Sequence, residues 1–222
     1  MKRRMASLTI LCLALVAIPA WADYSNGPIN GTTDAWTINF GFVVSNSVCC
    51  RTEQDGSGGG IVTGFMFGAW EFPGDTLTSV DWSLTTGENS GMVLGSGTAS
   101  GANLTDKFIS SNQFGFDIDL ITVTGLNVNV GNGANPYWLN LQNAVVPSGD
   151  PVYWDENSGV GCTGDNCPSS ASESSIGTIP SEAFTINSSG STSGSTPEPS
   201  SILLFGSGIL GLAALLRRRT TL

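Results

Sequence analysis

Between residues 35 and 186 the hydrophobic positions recur every second residue rather than every third or fourth. Trp36, Ile38, Phe40, Phe42 and Val44 fall on one face of an extended segment while Thr37 and Asn39 take the other, as expected of a half-buried strand. The same alternation predicts strands over residues 61–72, 77–85, 92–98, 113–119, 126–130, 137–141, 152–155 and 183–186. No stretch of this region has the spacing of an amphipathic helix. Eight or nine short strands, separated by turns bearing Gly, Asn and Pro, predict a mainly β fold: an antiparallel two-sheet sandwich, jelly-roll-like. Residues 56–60, Gly-Ser-Gly-Gly-Gly, read as a loop.

The pattern changes at both ends of the chain. Lys2, Arg3 and Arg4 precede an apolar stretch over residues 8–18, then Pro19 and Ala20-Trp21-Ala22. Small residues at the −3 and −1 positions suit signal peptidase, so residues 1–22 are expected to be a cleaved export signal. Residues 201–216 are uncharged and rich in Leu and Gly, and Arg217, Arg218 and Arg219 close them. As a helix this run would span about 24 Å, enough to cross a locally thinned bilayer. The arginines then place the C-terminal tail on the cytoplasmic side and the rest of the chain outside. Residues 187–196 are Ser, Thr, Gly and Asn only, a polar tether with nothing to bury. The extracellular β domain is therefore expected over residues 23–186, the linker over 187–196 and a terminal signal over 197–222.

Composition narrows the function. The chain has 222 residues with His at 0, which removes imidazole-based triads, HExxH zinc sites and histidine pH switches. Its formal net charge is −10, but six of the eight basic residues sit in the two terminal segments. Between residues 23 and 196 only Arg51 and Lys107 stand against 17 acids, a net charge of −15. Such a body repels nucleic acid and anionic lipid, so no nucleic-acid partner is expected.

Just before the apolar run stand Thr196-Pro197-Glu198-Pro199-Ser200. Two prolines around a glutamate disfavour helix and hold the segment extended. Pro-Glu-Pro, a short Leu/Gly-rich span and an arginine cluster, in that order, resemble the PEP-CTERM sorting signal of bacterial surface proteins. That resemblance implies an exosortase, a membrane-embedded cysteine transpeptidase, as partner. It makes Pro197, Glu198 and Pro199 the recognition motif, and Arg217, Arg218 and Arg219 the membrane stop. Thr196 departs from the small aliphatic residue that members often carry there. Pro136-Tyr-Trp-Leu-Asn-Leu141 followed by Val152-Tyr-Trp-Asp155 loosely resembles the extracellular β-sandwich modules that precede such signals, with no ligand implied.

Within the body, four kinds of residue carry candidate chemistry. Tyr137-Trp138 and Tyr153-Trp154 flank a turn containing Pro147-Ser-Gly-Asp150-Pro151, which predicts neighbouring hairpin strands with one ring of each pair facing out. Outward indoles among Trp70, Trp82, Trp138 and Trp154, Trp138 and Trp154 above all, would stack on sugar rings of a polysaccharide, whereas inward ones would fill the core. Asp117 and Asp119 share a strand face, and Asp155, Glu156 and Asp165 offer hard oxygens in a loop. Calcium is the ion those oxygens would hold, as a structural site, although the spacing matches no EF-hand or RTX loop; otherwise no cofactor is expected.

The mature cysteines are Cys49, Cys50, Cys162 and Cys167. An even number in an exported chain predicts disulfides. Neighbours bridge poorly, so Cys49 and Cys50 are each expected to reach Cys162 or Cys167; four-thiolate zinc is the alternative. Paired carboxylates are the catalytic route left open without His, with Glu71, Asp81 and Glu156 available. No spacing makes two of them converge, and no catalytic residue is named. The expected function is a non-catalytic structural or adhesive body on an exosortase-sorted precursor, delivered to the cell surface or extracellular matrix. A carbohydrate-binding module is the alternative and a carboxylate-dependent glycosidase a further one.

Overall fold

The structure is a computed structural model that describes residues 24–48, 60–131, 136–163 and 167–189. The export signal, Cys49, Cys50, Asp165 and everything from residue 190 onward, including Pro197, Glu198, Pro199 and Arg217, Arg218 and Arg219, lie outside the described residues. Among the described residues no helix is long and apolar enough to cross a membrane.

The described chain is mainly β and forms two antiparallel sheets. The first, of eight strands, contains β1 (Tyr24–Ser25), β2 (Ala35–Thr37), β4 (Ile61–Glu71), β7 (Leu104–Ser111), β8 (Asp117–Val123), β9 (Val128–Asn129), β11 (Tyr153–Asp155) and β14 (Phe184–Ser189). The second, of six, contains β3 (Val44–Val48), β5 (Ser79–Gly87), β6 (Ser90–Ser100), β10 (Tyr137–Val145), β12 (Ala171–Glu173) and β13 (Gly177–Ile179). β4 is the hub of the first sheet and pairs with β8, β9, β11 and β14. In the second sheet the order is β13-β12-β3-β10-β5-β6.

Alternation along the strands builds one core from both sheets. Phe65 and Phe67 on β4 lie in register with Val123 and Ile121 on β8, and all four are fully buried. Leu139 and Leu141 on β10 and Leu84 on β5 supply the other half of the same cluster. Phe65 meets Trp82 of the second sheet edge-on, with ring centroids 6.4 Å apart. Burying these rings is the main source of stability, since each large side chain removed from water contributes roughly 1.5–3 kcal/mol.

Four strand predictions required correction. Residues 36–44 are not one strand. The chain leaves the first sheet after β2, turns, and enters the second as β3. The turn sets Phe40 at φ 56° with the amide of Phe42 on the Asn39 carbonyl, so Phe40 is 69% exposed whereas Ile38 and Val44 stay in the core. Residues 113–116 form the tip between β7 and β8, because the Asn112 side chain accepts the amides of Phe114 and Phe116. The Tyr-Trp pairs are not on a hairpin: β10 belongs to the second sheet and β11 to the first, the intervening turn carrying the chain across. Finally, β7, β12 and β13 have no clean apolar alternation, and sequence reading missed them.

Residues 26–34 cross the outer face of the first sheet. Asp155 holds them there by accepting the amides of Asn30 at 2.8 Å and Gly31 at 2.9 Å. The crossing is close: a Cβ on Gly31, whose φ is +62°, would sit 2.7 Å from the Ile118 side chain.

Candidate metal centre

The inner face of the first sheet turns from apolar to acidic towards one end. On β4 the inward series Phe65, Phe67, Ala69 ends at Glu71. On β8 the series Val123, Ile121 continues to Asp119 and Asp117, in register with Ala69 and Glu71. On β7, Asp106 is in register with Ile121 and so shares that face. Carboxylate oxygens of Glu71, Asp106 and Asp119 lie within 4.8 Å of one another.

Glu71 is fully buried, and neither Oε1 nor Oε2 accepts a hydrogen bond from a donor outside the acid cluster; its protonated carboxyl bonds Asp106. Asp106 Oδ2 accepts the Leu77 amide at 2.6 Å, tying the segment before β5 to the cluster. Asp117, at the rim, accepts Ser111 Oγ at 2.8 Å and the Gly74 amide at 3.4 Å. Among the described residues the only cationic side chain is Lys107; it is exposed and, next to Asp106 in a strand, points the opposite way. Burial, then the charges of Asp106 and Asp119, push the Glu71 carboxyl up to about 9. Burial, then Asp106 and Asp117, push Asp119 up to about 7. Asp106 is raised by burial, against which the Leu77 amide and the hydrogen bond from Glu71 work. Three uncompensated acids therefore share one low-dielectric corner, which favours whatever positive charge can enter.

Of the sequence-named residues, Trp154 does not face out. Its ring is fully buried between Phe67 and Phe184, with centroids 5.8 Å from each, and its Nε1–H donates to the Ala183 carbonyl at 2.9 Å. Trp138 is half-buried on the outer face of the second sheet, in register with Ser47 and Thr85. An aromatic patch that sequence reading did not assemble covers the outer face of the first sheet. Trp70 stacks on Phe114 at 5.6 Å, and Phe116 contacts Phe72 at 5.0 Å and Tyr153 at 5.6 Å. Phe114 is 52% and Phe72 39% exposed.

The loop acids are engaged otherwise. Asp155 accepts the Trp70 indole N–H at 2.6 Å besides the two amides of the crossing segment. Glu156 accepts Ser158 Oγ at 3.0 Å and Trp36 Nε1–H at 3.4 Å. The acid cluster that the fold assembles is a different one, and of its members sequence reading had singled out Glu71 and Asp119 but not Asp106. The available signal was an acid at an inward position beside Leu104, hidden because β7 was not predicted.

The disulfide expectation also required correction. Cys162 bonds Cys167, five residues on, with Cα atoms 5.8 Å apart, within the normal range for a bridge. Bonded to each other, neither is left to pair with Cys49 or Cys50.

An apolar cavity of about 430 Å³ opens where residues 25–29 pass over the first sheet, lined by Pro28, Ile29, Met66, Leu120 and Phe184 among others. No titratable side chain lines it.

Together these features define a disulfide-bearing, two-sheet β body with three acids gathered at one end of its core. The PEP-CTERM protein-sorting motif matches residues 195–219. The chain thus carries a PEP-CTERM signal, which marks an exported, membrane-anchored precursor recognised by an exosortase. No curated protein and no solved structure matches the chain.

Proposed function

We propose that the chain is the precursor of a surface or extracellular-matrix protein whose β body is structural or adhesive, not catalytic. Its C-terminus is cut by the exosortase at or near Pro197, Glu198 and Pro199. The observation that carries this reading is the sorting motif over residues 195–219. Two features of the body support a non-catalytic role. Of the acids that converge, Glu71, Asp106 and Asp119, Glu71 is sealed from solvent, whereas a glycosidase substrate must reach both groups of its pair. The apolar cavity offers no acid, base or nucleophilic thiol.

The deciding experiment is the intact mass of the exported protein, compared between the wild type, Glu198→Ala and a deletion of residues 197–219. Loss of the C-terminal segment in wild type, and failure of surface delivery in both variants, are expected. A wild-type surface protein that retains Arg217, Arg218 and Arg219 would overturn processing.

A carbohydrate-binding role is the second reading, favoured by the patch of Trp70, Phe72, Phe114, Phe116 and Tyr153. Aromatic faces stack on the C–H face of sugars, and Phe72 and Phe114 of this patch, unlike Trp154, are open to solvent. Glycan-array binding lost in Phe114→Ala would favour it. Binding lost in Trp138→Ala instead would move the contact to the second sheet. Turnover of any glycan, abolished by one carboxylate-to-amide change, would overturn both non-catalytic readings.

A further inference from the structure

We propose that Glu71, Asp106 and Asp119 together bind one calcium ion, which closes the acidic end of the core and fixes β7 to β4 through β8. Two independent observations lead there. One is the convergence of three carboxylates from three strands, their oxygens within 4.8 Å of one another. Calcium takes oxygens at 2.3–2.6 Å, so ligands on opposite sides of one ion stand no more than about 5 Å apart. The other is Glu71 itself, 0% exposed, with neither oxygen met by a donor from outside the acid cluster, and on the face that carries Asp106 and Asp119. A buried carboxylate with no donor is costly unless something positive meets it, and Lys107, the cation next in sequence, points away.

The chemistry of the donors selects the ion. All three are hard carboxylate oxygens, with no thiolate among them, which disfavours zinc and copper. Magnesium holds several of its waters and takes only one or two carboxylates in strict octahedral geometry. Calcium accepts irregular sets of six to eight oxygens, so mono- or bidentate carboxylates can serve without reshaping the strands. The residual −1 charge after three carboxylates meet one divalent ion is far smaller than that of the bare cluster. Asp106 also accepts the Leu77 amide, so the ion would fix the approach to β5 as well. An exported body meets calcium outside the cell, where modules with dissociation constants of about 10⁻⁴–10⁻³ M are occupied.

The test uses the full-length chain purified in detergent, stripped with chelator and titrated with calcium chloride by calorimetry and thermal unfolding. One saturable site is expected, with Tm rising by about 5–10 °C at calcium about a hundredfold above the dissociation constant. Glu71→Gln and Asp119→Asn are each expected to weaken binding by about tenfold or more, with the β circular-dichroism signal kept. Glu156→Gln, at an acid engaged elsewhere, should retain the full shift. Absence of a saturable site in the wild type overturns the proposal, whatever the variants do. Equal shifts with magnesium overturn the assignment to calcium. A shift lost in Glu156→Gln, or kept in Glu71→Gln and Asp119→Asn, overturns the location. If Glu71→Gln fails to fold, Asp106→Asn takes its place. A wild type as stable without calcium as with it would mean that a shared proton alone neutralises the cluster, and would also overturn the proposal.

Discussion

The indole of Trp70 donates to Asp155 Oδ1 at 2.6 Å, joining β4 to β11 on the outer face of the first sheet. The same carboxylate holds the amides of Asn30 and Gly31, so one acid fastens the crossing segment and the aromatic patch to the sheet. Replacing it by Ala would strand three donors, at least two of them sheltered. Asp155→Ala is therefore expected to cost about 3 kcal/mol or more, and Trp70→Phe, beyond its lost packing, about 1–2 kcal/mol for its one bond. Urea unfolding of both variants and the double variant checks this, with non-additivity showing the direct coupling.

Glu182 gives the pH dependence its sign. It is fully buried, accepts the Asn46 side-chain amide through Oε2, and leaves Oε1 without a partner. Burial raises its carboxyl well above 4.5, outweighing the Asn46 bond. Above the unfolded value of 4.5 the unfolded chain releases this proton while the folded one keeps it. The native state then binds more protons, and stability falls as pH rises from there through the folded value. Glu182→Gln removes that contribution. The variant should match wild type near pH 4 and exceed it progressively towards pH 8 in denaturant midpoints; parallel curves would show that Glu182 is already ionised in the fold.

Much of this architecture was legible in the chain because buried strands alternate. Residues 61–72 predicted β4 to within one residue at its end, and Asp117 and Asp119 share a face as period two requires. Failures cluster where a turn overrides alternation. Phe40 continues the apolar series of Trp36 and Ile38, yet Gly41 at φ +88° beside it permits the turn that takes the chain to the other sheet. Trp154 could not be placed from sequence because its partners Phe67 and Phe184 are distant in the chain. The acid cluster was hidden for the same reason: Glu71, Asp106 and Asp119 meet only through the pairing of β4, β8 and β7. An edge strand such as β7, mostly exposed with Phe108 and Ile109 outside the core, carries no alternation to read.

Gly64 tests how tightly β4 is held by its neighbours. A Cβ there would stand 2.4 Å from the Val123 carbonyl oxygen, and that atom belongs to a backbone paired with β4 in register. The backbone cannot swing aside as a side-chain tip would. Gly64→Ala is expected to cost about 2 kcal/mol or more, despite the better strand entropy of Ala. Gly74→Ala, where nothing lies within 4 Å of the added Cβ but φ is +89°, isolates the conformational penalty alone, at about 1 kcal/mol. Thermal unfolding of the two variants separates steric contact from dihedral strain; a smaller loss at Gly64 than at Gly74 would contradict the close approach.

The bridge between Cys162 and Cys167 predicts a measurable limit on what it contributes. Closing so short a loop, with partners separated by 5 in sequence, removes little freedom from the unfolded chain, about 2 kcal/mol by the loop-entropy relation. A bond from Cys49 or Cys50 to the same loop would close more than a hundred residues and contribute about 4.7 kcal/mol. Cys162→Ser with Cys167→Ser should accordingly lower stability by about 2 kcal/mol in denaturant unfolding under oxidising conditions. Peptide mapping without reduction should recover Cys162 and Cys167 in one cross-linked fragment. A fragment joining Cys162 or Cys167 to the segment holding Cys49 and Cys50, together with the larger stability loss, would show that the long-range staple forms instead.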